Sequence, residues 1–375
     1  MSDHLPFARP TIDEKSIEDV AQVLRSGWIA SGPYVTKFES ALSTYLGGRE
    51  VRTVTSGTAA LEIALRAAGV REGDGVIVPA MSFAASANVV MRVGAIPVFV
   101  DVELRSRNLD LALVPAAISP RVRAIMPVHF AGLPVDQERL YDIAAKHGVR
   151  VIEDAAHAIG STYRGRRIGS FGDVACFSFH PNKNLTTIEG GAIAFGSGVD
   201  VDLIELERFH GIIRDGEGNV DVVRAGGKYN LSDVAARLGL AQLERLDGFT
   251  ARRRELASLY FDELGIDPPG VLPERGDSGH CWNMFTLLLP FDQLGMTRAQ
   301  FQHAMGQRGI GVGVHYPCIP SLTAYRNLSD RSAHRYPNAA RIGRETVTLP
   351  LFPTMADSDV RRVCEALRAV LAHRT

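Results

Sequence analysis

Val149-Arg150-Val151-Ile152-Glu153-Asp154-Ala155-Ala156 is the stretch that decides the fold. A β-branched run that ends on two adjacent carboxylates and continues into alanines predicts a buried strand with Glu153 and Asp154 at its carboxyl end. Six runs of the same kind flank it: Val51–Val54, Val76–Pro79, Pro97–Val102, Val122–Val128, Val174–Phe179 and Gly191–Phe195. Between them lie stretches of helical spacing. In Thr58–Ala68 the residues Leu61, Ala64, Leu65 and Ala68 share a face, and Gln137–His147 repeats the pattern with Leu140, Ile143 and Ala144. Strand alternating with helix over about 140 residues predicts an α/β fold with a mostly parallel seven-stranded sheet covered on both faces. Ligands of such sheets bind at the carboxyl ends of the strands, where Glu153 and Asp154 fall.

The rhythm stops after Phe195. Val201–His210 and Ser232–Leu264 read as helices, Phe285–Leu289 and Gly311–His315 as strands, and Arg298–Gln307 and Asp357–Leu371 as helices. The last carries an apolar stripe of Val360, Val363, Cys364, Leu367, Val370 and Leu371. Asp215–Gly227 and Pro317–Ser321 read as irregular. The expected organisation is a large domain over 1–248 and a smaller α/β domain over 249–375, divided inside the long helix near Leu246–Arg252. A chain of 375 residues exceeds the size at which one core stops growing, which agrees with two.

Composition excludes several classes. With 41 Lys+Arg against 42 Asp+Glu the chain has no overall field for a polyanion, so nucleic acid and a membrane surface are not expected partners. The apolar runs are far too short to span a bilayer. Met1-Ser2-Asp3-His4 does not open a secretory signal, so a cytoplasmic protein is expected. The four cysteines, Cys176, Cys281, Cys318 and Cys364, form no CxxC pair; free thiols are expected, and no metal site.

Three segments carry the chemistry. Lys183 lies in Ser178-Phe179-His180-Pro181-Asn182-Lys183-Asn184, a loop after one predicted strand and before Glu189-Gly190-Gly191. Buried there, its amine would have a lowered pKa and could form a Schiff base with an aldehyde. Asp154 ends a buried strand and needs a cationic partner, of which a protonated pyridine nitrogen is one. Thr55-Ser56-Gly57-Thr58-Ala59 joins a strand to a helix and offers hydroxyls and backbone N–H groups to a phosphate. Taken singly, each has an ordinary reading: a surface lysine, a structural salt bridge, a helix cap. All three fall at strand carboxyl ends of one α/β domain.

On these segments the chain resembles the DegT/DnrJ/EryC1/StrS family of pyridoxal-phosphate (PLP) sugar aminotransferases, of the aspartate-aminotransferase fold (fold type I). The resemblance runs from Ser26-Gly27-Trp28-Ile29-Ala30-Ser31-Gly32-Pro33 through Glu153–Gly160, Ser178–Lys183, Glu189–Gly191 and Lys228-Tyr229-Asn230-Leu231 to Leu349-Pro350-Leu351-Phe352-Pro353. It implies that Lys183 is the Schiff-base lysine and proton shuttle, that Asp154 partners the pyridine nitrogen, and that His157 lies by the ring. It also implies that Phe83 stacks on the ring and that Ser56, Gly57, Thr58 and Ser178 bind the phosphate. Asn230 would reach the cofactor of a neighbouring subunit, so a homodimer with shared active sites is implied. The retained Lys183 implies amino transfer rather than the dehydration run by family members with histidine in its place.

The implied reaction passes an amine from L-glutamate to a keto-sugar, releasing 2-oxoglutarate. His280–Phe285, Gly309–Tyr316 and Leu351–Met355 are most similar to the type that aminates a UDP-4-keto-pentose for lipid A modification. Trp28, Ile29, His315 and Tyr316 are the candidate substrate residues. Ile188 departs from the family's small residue, and Tyr316-Pro317-Cys318-Ile319-Pro320 is nearer to other nucleotide-sugar aminotransferases, so the expected acceptor is a nucleotide-linked 4-keto-sugar. His315 and His129 each admit a structural reading as well. Arg214, Arg224 and Lys228 flank a Gly-rich loop and read either as contacts to a diphosphate or as a solvated edge. A nicotinamide oxidoreductase would need GxGxxG, and Gly309-x-Gly311-x-Gly313 lacks that spacing. A non-catalytic PLP-binding protein would need an added binding module, and no such segment flanks the domain. A small amine or amino-ketone in place of the sugar stays open.

Overall fold

The structure is a computed structural model that describes residues 4–372 apart from 197, 266–267, 278, 326–327 and 329–334. Its centre is a seven-stranded sheet built from β1 (Glu50–Val54), β2 (Gly75–Pro79), β3 (Ile96–Val100), β4 (Val122–Ile125), β5 (Arg150–Asp154), β6 (Val174–Ser178) and β7 (Gly191–Phe195). The spatial order is β1-β7-β6-β5-β4-β2-β3. Neighbours from β3 through β6 pair in parallel, while β7 runs antiparallel between β6 and β1. Each strand is one of the predicted runs. The Val122–Val128 run is cut short at Ile125 because Pro127 has no N–H to continue the ladder. The extended backbone nevertheless continues: Asp154 N–H donates to Pro127 O at 2.9 Å and Val128 bridges Asp154.

Alternation along β5 sorts its side chains between two cores. Ile152 packs into the cluster that holds the helix Gly57–Ala67. Val151 packs into the cluster that holds Leu140 and Ala144 of the helix Gln137–His147. Asp154 therefore shares a face with Ile152, and Glu153 lies opposite with Val151.

A separate core gathers Leu256, Tyr260, Phe285, Phe301, Val347, Val363 and Leu367. It surrounds an antiparallel pair, Phe285–Leu288 with Thr346–Leu349. Two expectations fail in this half of the chain. Gly311–His315 is not a strand; Gly313 makes a single bridge to Thr348 while Ile310 bridges Leu5. Asp215–Gly227 is not wholly irregular, since Ile212–Arg214 pairs with Val220–Val222. That hairpin is closed by the Asp215 carboxylate, which accepts from the N–H groups of Glu217 (3.0 Å) and Asn219 (2.8 Å). Among the described residues no helix is long and apolar enough to cross a membrane.

The long helix Asp233–Leu264 begins one residue after its predicted start because Ser232 is its N-cap, accepting from Ala235 N–H at 3.2 Å. Its first residue, fully buried Asp233, caps a second helix, Pro33–Tyr45. The carboxylate accepts from the N–H groups of Gly32 (2.9 Å), Val35 (2.9 Å) and Tyr34 (3.2 Å). Gly32 and Pro33 have no side-chain oxygen to serve as a cap, so the helix depends on this distant one. Asp233→Ala is expected to lower stability in urea unfolding by about 2–3 kcal/mol, as for a lost charge-assisted bond that leaves buried donors unpaired.

Candidate active site

The carboxyl ends of β1, β2, β5 and β6 border a cavity of about 350 Å³. Ser56, Gly57 and Thr58 reach it from the turn after β1, and Phe83 from the turn after β2. Asp154 and His157 enter from β5, Ser178 and Lys183 from β6, and His315 and Tyr316 from the second half of the chain. A larger hollow of about 650 Å³ is lined by Arg105, Arg139, Arg275 and Asp277 among others. It contains neither Asp154 nor Lys183, so chemistry rather than volume identifies the site.

Asp154 is buried, and burial raises its carboxyl pKa. The opposing influences, largest first, are the Ser86 hydroxyl, which donates to Oδ2 at 2.8 Å, the Ala156 N–H, which donates to Oδ1 at 3.2 Å, the positive charge of Lys183 and, last, His129. Both hydrogen-bond donors are neutral, which leaves the carboxylate able to meet a cation. Ser86 is held in turn by Ser82, with Oγ to Oγ at 3.0 Å. Neither serine is distinguishable in sequence from an ordinary helix-entry residue; only the approach of β5 makes Ser86 part of the site.

Burial lowers the Lys183 amine to about 8, with Asp154 acting against that shift. Its loop turns tightly, Lys183 N–H donating to His180 O at 2.9 Å. Asn283 secures it from outside, its Nδ2 donating to Asn182 O (3.1 Å) and Asn184 Oδ1 (3.2 Å).

His157 is buried and its pKa is held well below the usual histidine value by burial, then by the charges of Lys183 and His315. Ala131 N–H donates to Nδ1 at 3.3 Å, so the neutral ring carries its proton on Nε2 and donates it to Tyr316 Oη, 3.3 Å away. The two rings lie nearly parallel, 15° apart with centroids at 6.1 Å. Phe83 covers the cavity, the residue 58% exposed and its ring centroid 5.7 Å from that of Tyr316. His315 pairs Nδ1 with Thr348 Oγ1 at 2.6 Å, and burial lowers its pKa to about 4.

The turn after β1 is shaped for close approach. Ser56 Oγ is occupied as the helix cap, accepting from Ala59 N–H at 3.0 Å, so the capping reading holds for that hydroxyl. The Gly57 and Thr58 N–H groups, in the first helical turn, have no intrahelical acceptor. A Cβ on Gly57 would sit 2.8 Å from Ser178 Cβ, and one on Gly191 would sit 2.5 Å from the Ser56 carbonyl. Only glycines let this turn lie against β6 and β7. A cradle of free N–H groups, a buried carboxylate with neutral donors and an amine near pKa 8 together fit PLP, which carries a phosphate, a ring nitrogen and an aldehyde.

Trp28 and Ile29, expected at the site, lie outside this cavity, as does Asn230, which the resemblance assigns to the cofactor of a neighbouring subunit. Trp28 and Ile29 are exposed, and Asn230 is half-buried, with its amide donating to Ser31 Oγ and its oxygen accepting from Lys228. Of the basic residues near the Gly-rich loop, Arg224 pairs with Glu207 at 2.5 Å.

The DegT/DnrJ/EryC1/StrS aminotransferase family model matches residues 10–368. The spore coat polysaccharide biosynthesis protein SpsC of Bacillus subtilis (strain 168) is 36% identical over 377 residues, spanning 98% of this chain and 97% of that protein. Among solved structures, the putative sugar aminotransferase Spr1654 from Streptococcus pneumoniae in its PMP form superposes with a TM-score of 0.92 at 32% identity, covering 98% of each chain. Its PLP form also gives 0.92, at 31% identity and with 99% and 100% coverage. A 3-amino-5-hydroxybenzoic acid synthase superposes at 0.90 with 31% identity, covering 99% of this chain and 100% of its own. The chain belongs to the DegT/DnrJ/EryC1/StrS aminotransferase family; it is a transaminase and its cofactor is PLP.

In the cofactor-free protein Lys183 should half-titrate near pH 8, measured by competitive acetylation across pH, while solvated lysines stay protonated to about pH 10. Because its folded pKa lies below the ordinary 10.5, its contribution to stability should rise with pH between about 8 and 10.5. Labelling that follows the solvated lysines would contradict the burial of this amine.

Proposed function

We propose that this family member transfers the amino group of L-glutamate to the keto group, at C4, of a nucleotide-linked sugar, and that it does so in the cytoplasm. The observation that carries the reading is the meeting of Lys183 and Asp154 in one cavity beside the Gly57–Thr58 turn. Two relatives support a sugar acceptor: the polysaccharide biosynthesis protein SpsC and the putative sugar aminotransferase Spr1654. The 3-amino-5-hydroxybenzoic acid synthase favours a second reading, a small cyclic ketone in place of the sugar.

In the proposed roles, Gly57, Thr58 and Ser178 hold the PLP phosphate, Asp154 the ring nitrogen, Phe83 the ring face and Lys183 the aldehyde carbon. PLP bound there supplies an electron sink for a carbanion beside nitrogen. Asp154 Oδ1 and Oδ2, oriented by Ala156 and Ser86, keep a negative charge where the ring nitrogen is held protonated. Lys183 Nζ, with a pKa near 8, is partly neutral at cellular pH and takes the proton from the donor's Cα. The same amine would pass that proton to the carbon supplied by the cofactor's aldehyde, and in the second half-reaction would move a proton back from there to the acceptor carbon, ending each half as it began. His157 stays uncharged and fixes Tyr316 at the cavity wall.

A second copy of the chain completes the site in this reading. Asn230 is half-buried and bonded to Ser31 and Lys228, Trp28 and Ile29 are exposed, and the hairpin exposes Val220 and Val222, an apolar surface suited to a partner.

Addition of PLP should give the yellow absorbance of a lysine-bound cofactor, and glutamate should bleach it. Lys183→Ala should abolish turnover with the fold intact; retained turnover would remove Lys183 from its role. With glutamate as donor, a panel of 3-keto and 4-keto nucleotide sugars and small cyclic ketones should give turnover on a 4-keto-sugar. Turnover on ketones alone would select the second reading. For the shared site, mixing Lys183→Ala with Asn230→Ala subunits should restore some activity, and no recovery would count against a cross-subunit Asn230.

A further inference from the structure

The turn His129-Phe130-Ala131-Gly132 belongs to none of the roles above, yet it touches the site from three directions. It follows the extended continuation of β4 and is fully buried at His129. His129 Nδ1 accepts from Val135 N–H at 3.1 Å, so the ring proton is on Nε2 and is donated to Glu153 Oε2 at 2.8 Å. Glu153 is 1% exposed and takes two further bonds, from Gln137 Nε2 (3.1 Å) and Tyr141 Oη (2.8 Å). These bonds lie on the face of β5 away from the cavity.

The backbone of the same turn works on the cavity face. His129 N–H donates to Asp154 O at 3.1 Å, closing the bridge between Val128 and Asp154. Phe130 N–H is held by Asn108 Oδ1 at 2.9 Å, and its ring stands edge-on to His157 and to Tyr316, with centroids at 6.0 and 6.2 Å. Ala131 sits at φ 54°, a left-handed conformation uncommon for a residue with a Cβ, and in it directs its N–H to His157 Nδ1. Gly132 closes the turn so tightly that a Cβ there would meet Cys281 Sγ and His157 O.

We propose that His129 is a positioning residue for this transaminase: by clamping Glu153 behind β5 it fixes the turn whose backbone orients Asp154 and sets the tautomer of His157. Partners that stand behind metal-ligating groups alter affinity or rate by about ten- to a hundredfold when removed, and the orienting role assigned to His129 is of the same kind. The role builds on the proposed parts of Asp154 and His157, but its geometry exists without cofactor and can be read there.

The test compares wild-type protein with His129→Leu, His129→Gln and, as a control, Val363→Ala, which truncates the second core. In cofactor-free protein labelled with 15N-histidine, wild-type His157 should show protonated Nε2 and bare Nδ1, assigned by loss of its signals in His157→Gln. His129→Leu should mix the two tautomers, bind PLP about tenfold more weakly, and lower kcat with little change in the KM for glutamate. His129→Gln, which keeps a donor toward Glu153, should recover most of each loss. Val363→Ala should lower the urea midpoint and leave the tautomer unchanged. If His129→Leu does not fold, Gln137→Leu removes one donor to Glu153 and should shift the same readouts less, in the same direction. An unchanged His157 tautomer and PLP affinity in a folded clamp variant would overturn the proposal. Wild-type protein that never binds PLP would sink the proposed function instead, leaving the tautomer comparison intact.

Discussion

Burying a carboxylate and an amine in one cavity is the constraint on which the rest of this structure depends. Desolvation pushes the Asp154 carboxyl up and the Lys183 amine down, each toward its neutral form. For Lys183 the shift from 10.5 to about 8 corresponds to a penalty on the ammonium of about 3 kcal/mol. The chain answers with neutral hydrogen bonds to Asp154 rather than with a structural cation. An arginine there would satisfy the carboxylate permanently; a serine hydroxyl and a backbone N–H orient it and leave its charge for the cofactor.

The two faces of β5 divide the work. The cavity face carries Asp154, and the opposite face carries Glu153 with its three donors. A one-residue slip in register would exchange the two carboxylates, so the pairing of Val128 with Asp154 and of β5 with β6 also decides which acid meets the ligand. Close backbone approach does the rest, since Gly57 lets the turn after β1 settle against Ser178 of β6, and Gly191 lets the Ser56 carbonyl of that turn lie against β7.

Much of this was legible in sequence because it rests on short-range pattern. Each strand of the main sheet is a short apolar run, most of them rich in β-branched residues, and Ser56–Thr58, Phe83, Asp154, His157, Ser178, Lys183, His315 and Tyr316 converge as their places at strand ends and loops suggest. What was not legible depends on distant partners. The helix Pro33–Tyr45 has no cap of its own and takes one from Asp233, and Ser86 becomes functional only when β5 arrives beside it. Gly311–His315 has a strand's alternation, yet Leu5 and Thr348 each engage it or its neighbour at a single bridge, so no ladder forms. Trp28 and Ile29 lie outside the single-chain cavity, and their sequence context has no signal for which chain they serve; only for Asn230 does the resemblance imply a neighbouring subunit.

The most direct measurement is the position of the covalent link. Incubation with PLP, reduction with borohydride and peptide mapping should place the pyridoxyl group on Lys183. A label on Lys228 or another solvated lysine, or none at all, would contradict the account.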